Sequence, residues 1–426
     1  MLLSLFMKVY DNDIHRNTET LFVPETKVHQ RSSVPTLADR MPAAAFVPFL
    51  IGAVILAIAY GSSFLLADVL RASGREAAEA GNIISIGTIA TLAGCAGAGR
   101  LAERTGILPL IICSAVMMAS AMACFASFGF FGIGFAYAGG LLLGLGWSVF
   151  YILAPIQLIH CLKPAARLEA LTLLSGSQML GIGLSAPLGH FLVQGRDQTA
   201  LIYVCYGLFC IVAAGLMIWA QRALKTIEQL PMTAVALTIP LAAGIVRAET
   251  VFPVIMIGLS ACVFSGLSTF QTLYAESRGL SSGTFFLTFT VTTVALRFSV
   301  ASQIGKLPLG KLVLTLFALT LAGLALLAVN EKSIVLYIAA TVLFAIGYGL
   351  TYSTLNAMIV NLADERGLSV PVASQVFTIG YFIGAFGFPY IAGGVLRGHG
   401  IDRTLLLMMG IVVVNMIVAM TVLRRR

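Results

Sequence analysis

Charge is scarce in this sequence. Of its 426 residues only 10% are Asp, Glu, Lys or Arg, while 59% are hydrophobic. A soluble domain carries about 25% charged residues, so a water-exposed globular fold is excluded. Acid is absent where it would matter most: no Asp or Glu lies deep in any apolar run. The seven cysteines (Cys95, Cys113, Cys124, Cys161, Cys205, Cys210 and Cys262) form no C-x-x-C, which argues against a zinc site and a disulfide framework. The apolar runs hold no H-E-x-x-H and no acid pair, and no G-x-x-x-x-G-K-[ST] occurs anywhere. A membrane-embedded enzyme and an ATP-driven pump are therefore set aside, and no metal or cofactor is expected. The opening Met1–Phe6 is too short for a signal-peptide core.

What the chain has instead is twelve apolar runs of bilayer-crossing length. We place them near 44–66, 79–99, 107–127, 131–157, 171–193, 200–219, 251–274, 284–304, 312–329, 334–358, 372–395 and 404–422. The net charge of +8 comes from basic residues at the ends of these runs, which points to a bilayer as partner and not to nucleic acid. With the N-terminus inside, the inner segments hold 18 Lys and Arg, the outer loops hold 7, and Arg297 lies within a span. Both termini are expected to be cytoplasmic, in a plasma membrane of the bacterial inner-membrane kind. Residues 1–42 read as an inner tail and 424–426 as a short basic one. Residues 220–250 read as a central inner loop. Within it, Pro231 to Val246 is apolar but short and carries Pro231 and Pro240, so it is read as an interfacial stretch and not a thirteenth span.

An internal repeat divides the spans into two sets of six, residues 43–219 and 251–423. A shift of 205 carries Pro48, Gly61, Ser63 and Gly74 onto Pro253, Gly266, Ser268 and Gly279. A shift of 202 carries Gly81 onto Gly283, and a shift of 201 carries Gly146, Trp147 and Tyr151 onto Gly347, Tyr348 and Tyr352. A shift of 197 carries Ser177, Gln178 and Gly183 onto Ser374, Gln375 and Gly380.

Between spans two and three stands Gly99-Arg100-Leu101-Ala102-Glu103-Arg104-Thr105-Gly106, a polar joint reading G-x-L-A-E-R-x-G. It resembles the signature that joins the second and third helices of the major facilitator superfamily on the cytoplasmic side. Here Ile107 and Leu108 stand where one or two basic residues usually follow. In the second half the matching joint, Ala301 to Pro308, keeps a base at Lys306 but has Gly305 in place of the acid. The resemblance covers roughly residues 43–423. It implies an all-α fold of twelve transmembrane helices in two six-helix pseudo-repeats, with Gly99, Leu101, Glu103, Arg104 and Gly106 as a hinge motif. Span five adds Gly181 to Gly189, similar to the Gly-Pro motif of exporters in that superfamily, with Ala186 where a glycine belongs.

The resemblance also implies that spans 1, 4, 7 and 10 line a central cavity, with 2, 5, 8 and 11 beside them. The polar residues follow that division, since spans 3, 9 and 12 are nearly pure aliphatic. Candidate cavity residues are Tyr60, Ser63, Trp147, Tyr151, Gln178, Ser268, Gln271, Tyr274, Arg297, Tyr348, Tyr352, Asn356 and Gln375. A polar side chain in hydrocarbon needs a partner or water. A lone Ser or Thr equally often bonds its own helix, whereas a two-ended amide is harder to satisfy. Arg297 is the only ionisable residue well inside a span, and two roles stand open for it: tying helices together, or contacting an anionic group of the cargo. Its depth, past the midplane, leans toward the first. Asp68 and His190, near the outer ends of spans, are the candidates for proton coupling.

The leading expectation is a monomeric secondary transporter working by alternating access, a proton-coupled exporter of a small metabolite, toxin or metal-chelating compound. The runner-up is an importer of a sugar or organic acid, and a non-transporting receptor is a third reading. Removing residues 1–40 should leave membrane insertion and transport intact. A truncated protein that reaches the membrane but moves no substrate would contradict that reading of the tail.

Overall fold

The computed structural model describes residues 41–66, 69–70, 73–75, 78–193, 200–224, 236–304 and 307–424. Twelve helices among them are long and apolar enough to cross a membrane. Six come first: α1 (Ala43–Gly61), α2 (Ala78–Thr105), α3 (Ile107–Phe131), α4 (Ile133–Cys161), α5 (Pro164–Val193) and α6 (Ala200–Leu224). A short helix, α7 (Ile239–Arg247), follows in the central connection. The next four spans are α8 (Val251–Ser277), α9 (Ser282–Ile304), α10 (Leu309–Val329) and α11 (Ile334–Glu365). The last helical run, Val370–Arg424, is broken at Gly400, whose φ of 78° no other residue type adopts readily. The break yields two spans, α12 (Val370–Leu396) and α13 (Gly398–Thr421). The chain is an integral membrane protein, and its all-helical, twelve-span class is as the sequence implied.

Two expectations on element boundaries are corrected. The second span is longer than 79–99. Residues Gly99–Thr105 continue α2, because Leu, Ala, Glu and Arg all favour helix, and only Gly106, at φ 88°, turns the chain into α3. The first span is shorter than 44–66: α1 ends at Gly61 and Ser62–Leu65 tighten into a 3₁₀ turn. The stretch within Pro231 to Val246 that is described, from Ala236 onward, forms the nine-residue α7, too short to span a bilayer. Its Ile245 is buried against residues of the last six helices, with Leu237 and Leu241 beside it, while Ile239 on the other side is exposed.

Helices meet without a hydrophobic drive between them in lipid, so close approach decides which pairs form. Glycines supply it at repeat-related places. A Cβ on Gly146 of α4 would lie 3.0 Å from the Ser114 carbonyl oxygen of α3. A Cβ on Gly347 of α11 would lie 2.5 Å from the Thr320 backbone nitrogen of α10. These are the two positions related by the 201 shift. Buried residues gather into two apolar clusters, one drawn mostly from α1–α6 and one mostly from α8–α13. Tyr151 and Tyr381 pack against both. Contact between the two sets of helices is made chiefly by α5, which packs against α9 and α11. Outward surfaces are apolar, as on α6, where Val204, Leu208, Ile211 and Trp219 form an exposed stripe suited to lipid.

Gly347→Val should lower the stability of the purified protein by about 1–3 kcal/mol, since the new side chain overlaps the α10 backbone. Gly410→Val, at a position with open space around it, is the control. Equal melting temperatures for the two variants would contradict this account of helix pairing.

Candidate functional site

One face of the bundle carries the start of α1, the α2–α3 and α4–α5 connections, the ends of α9 and α11, and α7. It is called the linker face below. Roughly midway between it and the opposite face, helices from both sets border a cavity of about 90 Å³. Tyr60 of α1, Trp147 and Tyr151 of α4, and Gln178 of α5 border it from the first set. Arg297 of α9 and Tyr348 and Tyr352 of α11 border it from the second. The walls are stacked rings. Tyr60 lies parallel to Trp147 at 4.3 Å between centroids, and Tyr151 meets Tyr352 edge-on at 5.7 Å. A second cavity of about 50 Å³ shares Tyr60, includes Ser63, and continues toward the opposite face between α1, α2 and α4.

Arg297 is 1% exposed. It reaches its place because α9 lies against glycines: a Cβ on Gly176 of α5 would come within 3.1 Å of the Arg297 Cβ, and one on Gly349 of α11 within 2.8 Å of Thr293. One terminal nitrogen, Nη1, donates to the Ser175 carbonyl oxygen at 3.1 Å, and Nη2 donates to the Gly349 carbonyl oxygen. The guanidinium thus joins α5 of the first set to α11 of the second while forming part of the cavity wall. Its Nε–H has no hydrogen-bond partner, and neither has Nε2 of Gln178. Among the described residues no carboxylate pairs with Arg297 or borders the cavity.

Several candidate residues stand elsewhere. Ser268 donates to the Phe264 carbonyl of its own helix at 2.8 Å, the self-satisfied arrangement open to any Ser in a span. Gln271 donates to the Tyr337 hydroxyl at 2.6 Å, and Tyr274 to the Leu327 carbonyl at 2.8 Å, so both knit α8 to α10 and α11 near the opposite face. Asn356 is fully buried one helical turn beyond Tyr352, toward the linker face, with neither end of its amide partnered. Gln375 donates to the Pro371 carbonyl of its own helix at 3.2 Å. Asp68 lies outside the described residues, and of His190 only its place on α5 is described. The cavity also holds residues that sequence reasoning missed: Ser175, Met179, Ile182, Tyr381 and Phe382. Spacing could have found some of them. Ser175, Gln178 and Ile182 fall at i, i+3 and i+7, and Thr378 to Tyr381 continues the stripe that starts at Ser374.

The linker face is closed by polar contacts. Arg167, at the start of α5 and 3% exposed, pairs with Asp364 at the end of α11 at 3.0 Å. The same nitrogen lies 3.5 Å from Asn361 Oδ1, and Arg167 Nε donates to the Leu162 carbonyl at 3.3 Å. Of the joint motif, Gly99 is buried and Leu101 and Arg104 are exposed. Glu103 Oε1 accepts a 2.7 Å hydrogen bond from the backbone N–H of Ala236, just before α7. The motif's acid therefore holds the chain leading into a helix that is itself packed on the second set. Gly305 and Lys306 of the matching joint lie outside the described residues.

Comparison with known proteins bears on the fold and the family. Among solved structures, a variant of the fucose:proton symporter FucP of E. coli matches with a TM-score of 0.67 at 15% identity, over 89% of this chain and 99% of that one. The human organic anion transporter MFSD10 (TETRAN) matches with 0.72 at 15% identity, over 88% and 99%. The proton:xylose symporter XylE matches with 0.67 at 10% identity, over 88% and 95%. Such low identities speak to the shared fold alone. Among curated protein sequences none matches this chain. The family model of the Major Facilitator Superfamily matches residues 48–385, most of the chain and both sets of helices. With the twelve spans and the central cavity between them, that match is decisive: the chain belongs to the Major Facilitator Superfamily.

Proposed function

We propose that the protein exports a small metabolite, toxin or metal-chelating compound by alternating access, with residues 43–219 and 251–423 as the two moving bodies. The observation that carries this reading is the cavity itself. It is walled by both bodies, shares Tyr60 with a second cavity nearer the opposite face, and lies behind a linker face where Arg167 and Asp364 bridge the two bodies. A rocking motion that parts those residues would turn the cavity to the other side. The linker face is taken as cytoplasmic because the basic residues of the sequence favour it. The outward direction rests on the Gly181–Gly189 run of α5. Two of its glycines also have a packing role, Gly181 against the Val54 carbonyl of α1 and Gly183 against Thr290 of α9. Protons are the proposed coupling ion, with Asp68 and His190 as the titrating candidates, and the working unit is proposed to be a monomer.

Paired cysteines test the motion. Arg167→Cys with Asp364→Cys, bridged by a short bis-methanethiosulfonate reagent because the Arg–Asp span exceeds disulfide reach, should stop solute release by cells, and reduction should restore part of it. Cells with and without the protein would be compared for the solutes they release. No solute difference, or the same release from cross-linked and reduced protein, would overturn the transporter reading. Glu103→Gln should slow release several-fold while leaving solute affinity unchanged, because a neutral amide holds the Ala236 N–H by about half the strength of a carboxylate. An unaltered rate at normal membrane levels would remove Glu103 from the gating account.

A further inference from the structure

We propose that the central cavity takes a small organic anion with a flat apolar body. Its anionic group would sit between the free edge of Arg297 and the amide of Gln178, its body among the rings of Trp147, Tyr151, Tyr352 and Tyr381. The proposal rests on the transporter reading for its biological use, but the binding it describes stands separately.

Three observations carry it. The guanidinium is buried, yet among the described residues only backbone carbonyls receive its hydrogen bonds. A carbonyl dipole compensates a desolvated charge far less well than a full negative charge does. Second, the two buried polar groups of the wall that lack partners are both donors, Arg297 Nε and Gln178 Nε2. A carboxylate or similar oxyanion is all acceptor and matches that pair, whereas a cation is repelled and a neutral hydroxylated solute leaves the charge unmet. Third, the remaining wall is aromatic. Tyr151 and Tyr381 lie 6.2 Å apart between ring centroids at an interplanar angle of 24°, and Tyr352 stands nearly perpendicular to Tyr381 at 5.5 Å. Rings so arranged favour a flat apolar body over a fully hydroxylated one.

Occupancy also has a mechanical meaning. The same guanidinium ties Ser175 of the first body to Gly349 of the second. An anion that draws on its N–H groups weakens the tie and favours movement of one body against the other.

The chain has two tryptophans, Trp147 in the cavity wall and Trp219, which is 62% exposed on α6. In a Trp219→Phe protein the emission of Trp147 reports on the cavity alone. Benzoate, benzamide and benzylamine would be titrated as an anionic, a neutral and a cationic probe of one shape. Benzoate should change the emission saturably, at a concentration about tenfold below benzamide, the difference that one charge-assisted hydrogen bond makes. Benzylamine should give no saturable change. Arg297→Gln should abolish the preference for benzoate over benzamide, and Gln178→Leu should reduce it with melting temperature retained. Equal responses to benzoate and benzamide in the Trp219→Phe protein would overturn the proposal without recourse to further variants, as would a benzoate response indifferent to Arg297→Gln. Benzoate binding without any flux in proteoliposomes would instead count against the transporter reading, and flux of a neutral solute with no benzoate binding would retain that reading and sink this one.

Discussion

A positive charge with no counter-charge among the described residues, buried where two bundles meet, is the constraint on which the rest of this structure depends. Removing a guanidinium from water costs several kcal/mol even after relaxation, so its surroundings must compensate. Here the compensation comes from two backbone carbonyls on helices of different halves, Ser175 on α5 and Gly349 on α11. Backbone carbonyls within a helix are already engaged, and reaching them needs close approach. The small residues Gly176 and Gly349 provide it along both flanks of α9. Arg297 thereby becomes wall and tie at once, and of the two roles open to it from sequence the hydrogen bonds realise the first, tying helices together.

From that centre the two ends of the path differ in chemistry. Toward the opposite face a second, separate cavity lined mainly by α1, α2 and α4 shares Tyr60 with the first. At the linker face ionic and backbone contacts link the elements. Arg167 meets Asp364 across the halves, and Glu103 holds the approach to α7. Such contacts suit a gate because they exchange for water at little net cost, the exposed Asp364 in particular. Asn356, buried between cavity and gate with both amide ends unpartnered, is a group whose energy would fall on hydration. The side toward the linker face therefore carries a polar residue that hydration would favour.

Much of this was legible in the sequence. Twelve apolar runs and the bias of basic residues need only the bilayer as solvent, and the helices follow from the demand that backbone groups be satisfied within the segment. Arg297 was visible as the lone charge within a span. Its partners were not, because a carbonyl oxygen carries no residue signature, and only the glycines Gly176 and Gly349 hinted at where one could be reached. The second span was drawn to end at Gly99 because the charges beyond it suggested water, when helix propensity carries the helix on to Thr105 and the single glycine at Gly106 ends it. Gln271 and Tyr274 shared the composition of cavity residues, yet tertiary packing turned them toward Tyr337 and Leu327. Tyr381 and Phe382 escaped notice for the reverse reason, since an aromatic residue in an apolar helix looks the same facing lipid or facing a cavity.

The central claim is that the two bodies rock about the Arg297 cavity, opening one face as they close the other. Spin labels read this most directly. One pair would be placed at Pro164 and Leu307 on the linker face and another at Gly134 and Glu331 on the opposite face, each pair spanning the two bodies. Measured with and without benzoate, the account predicts a second population in which the Pro164–Leu307 distance lengthens while the Gly134–Glu331 distance shortens. A single unchanging population at both pairs, or distances that lengthen and shorten together, would contradict it.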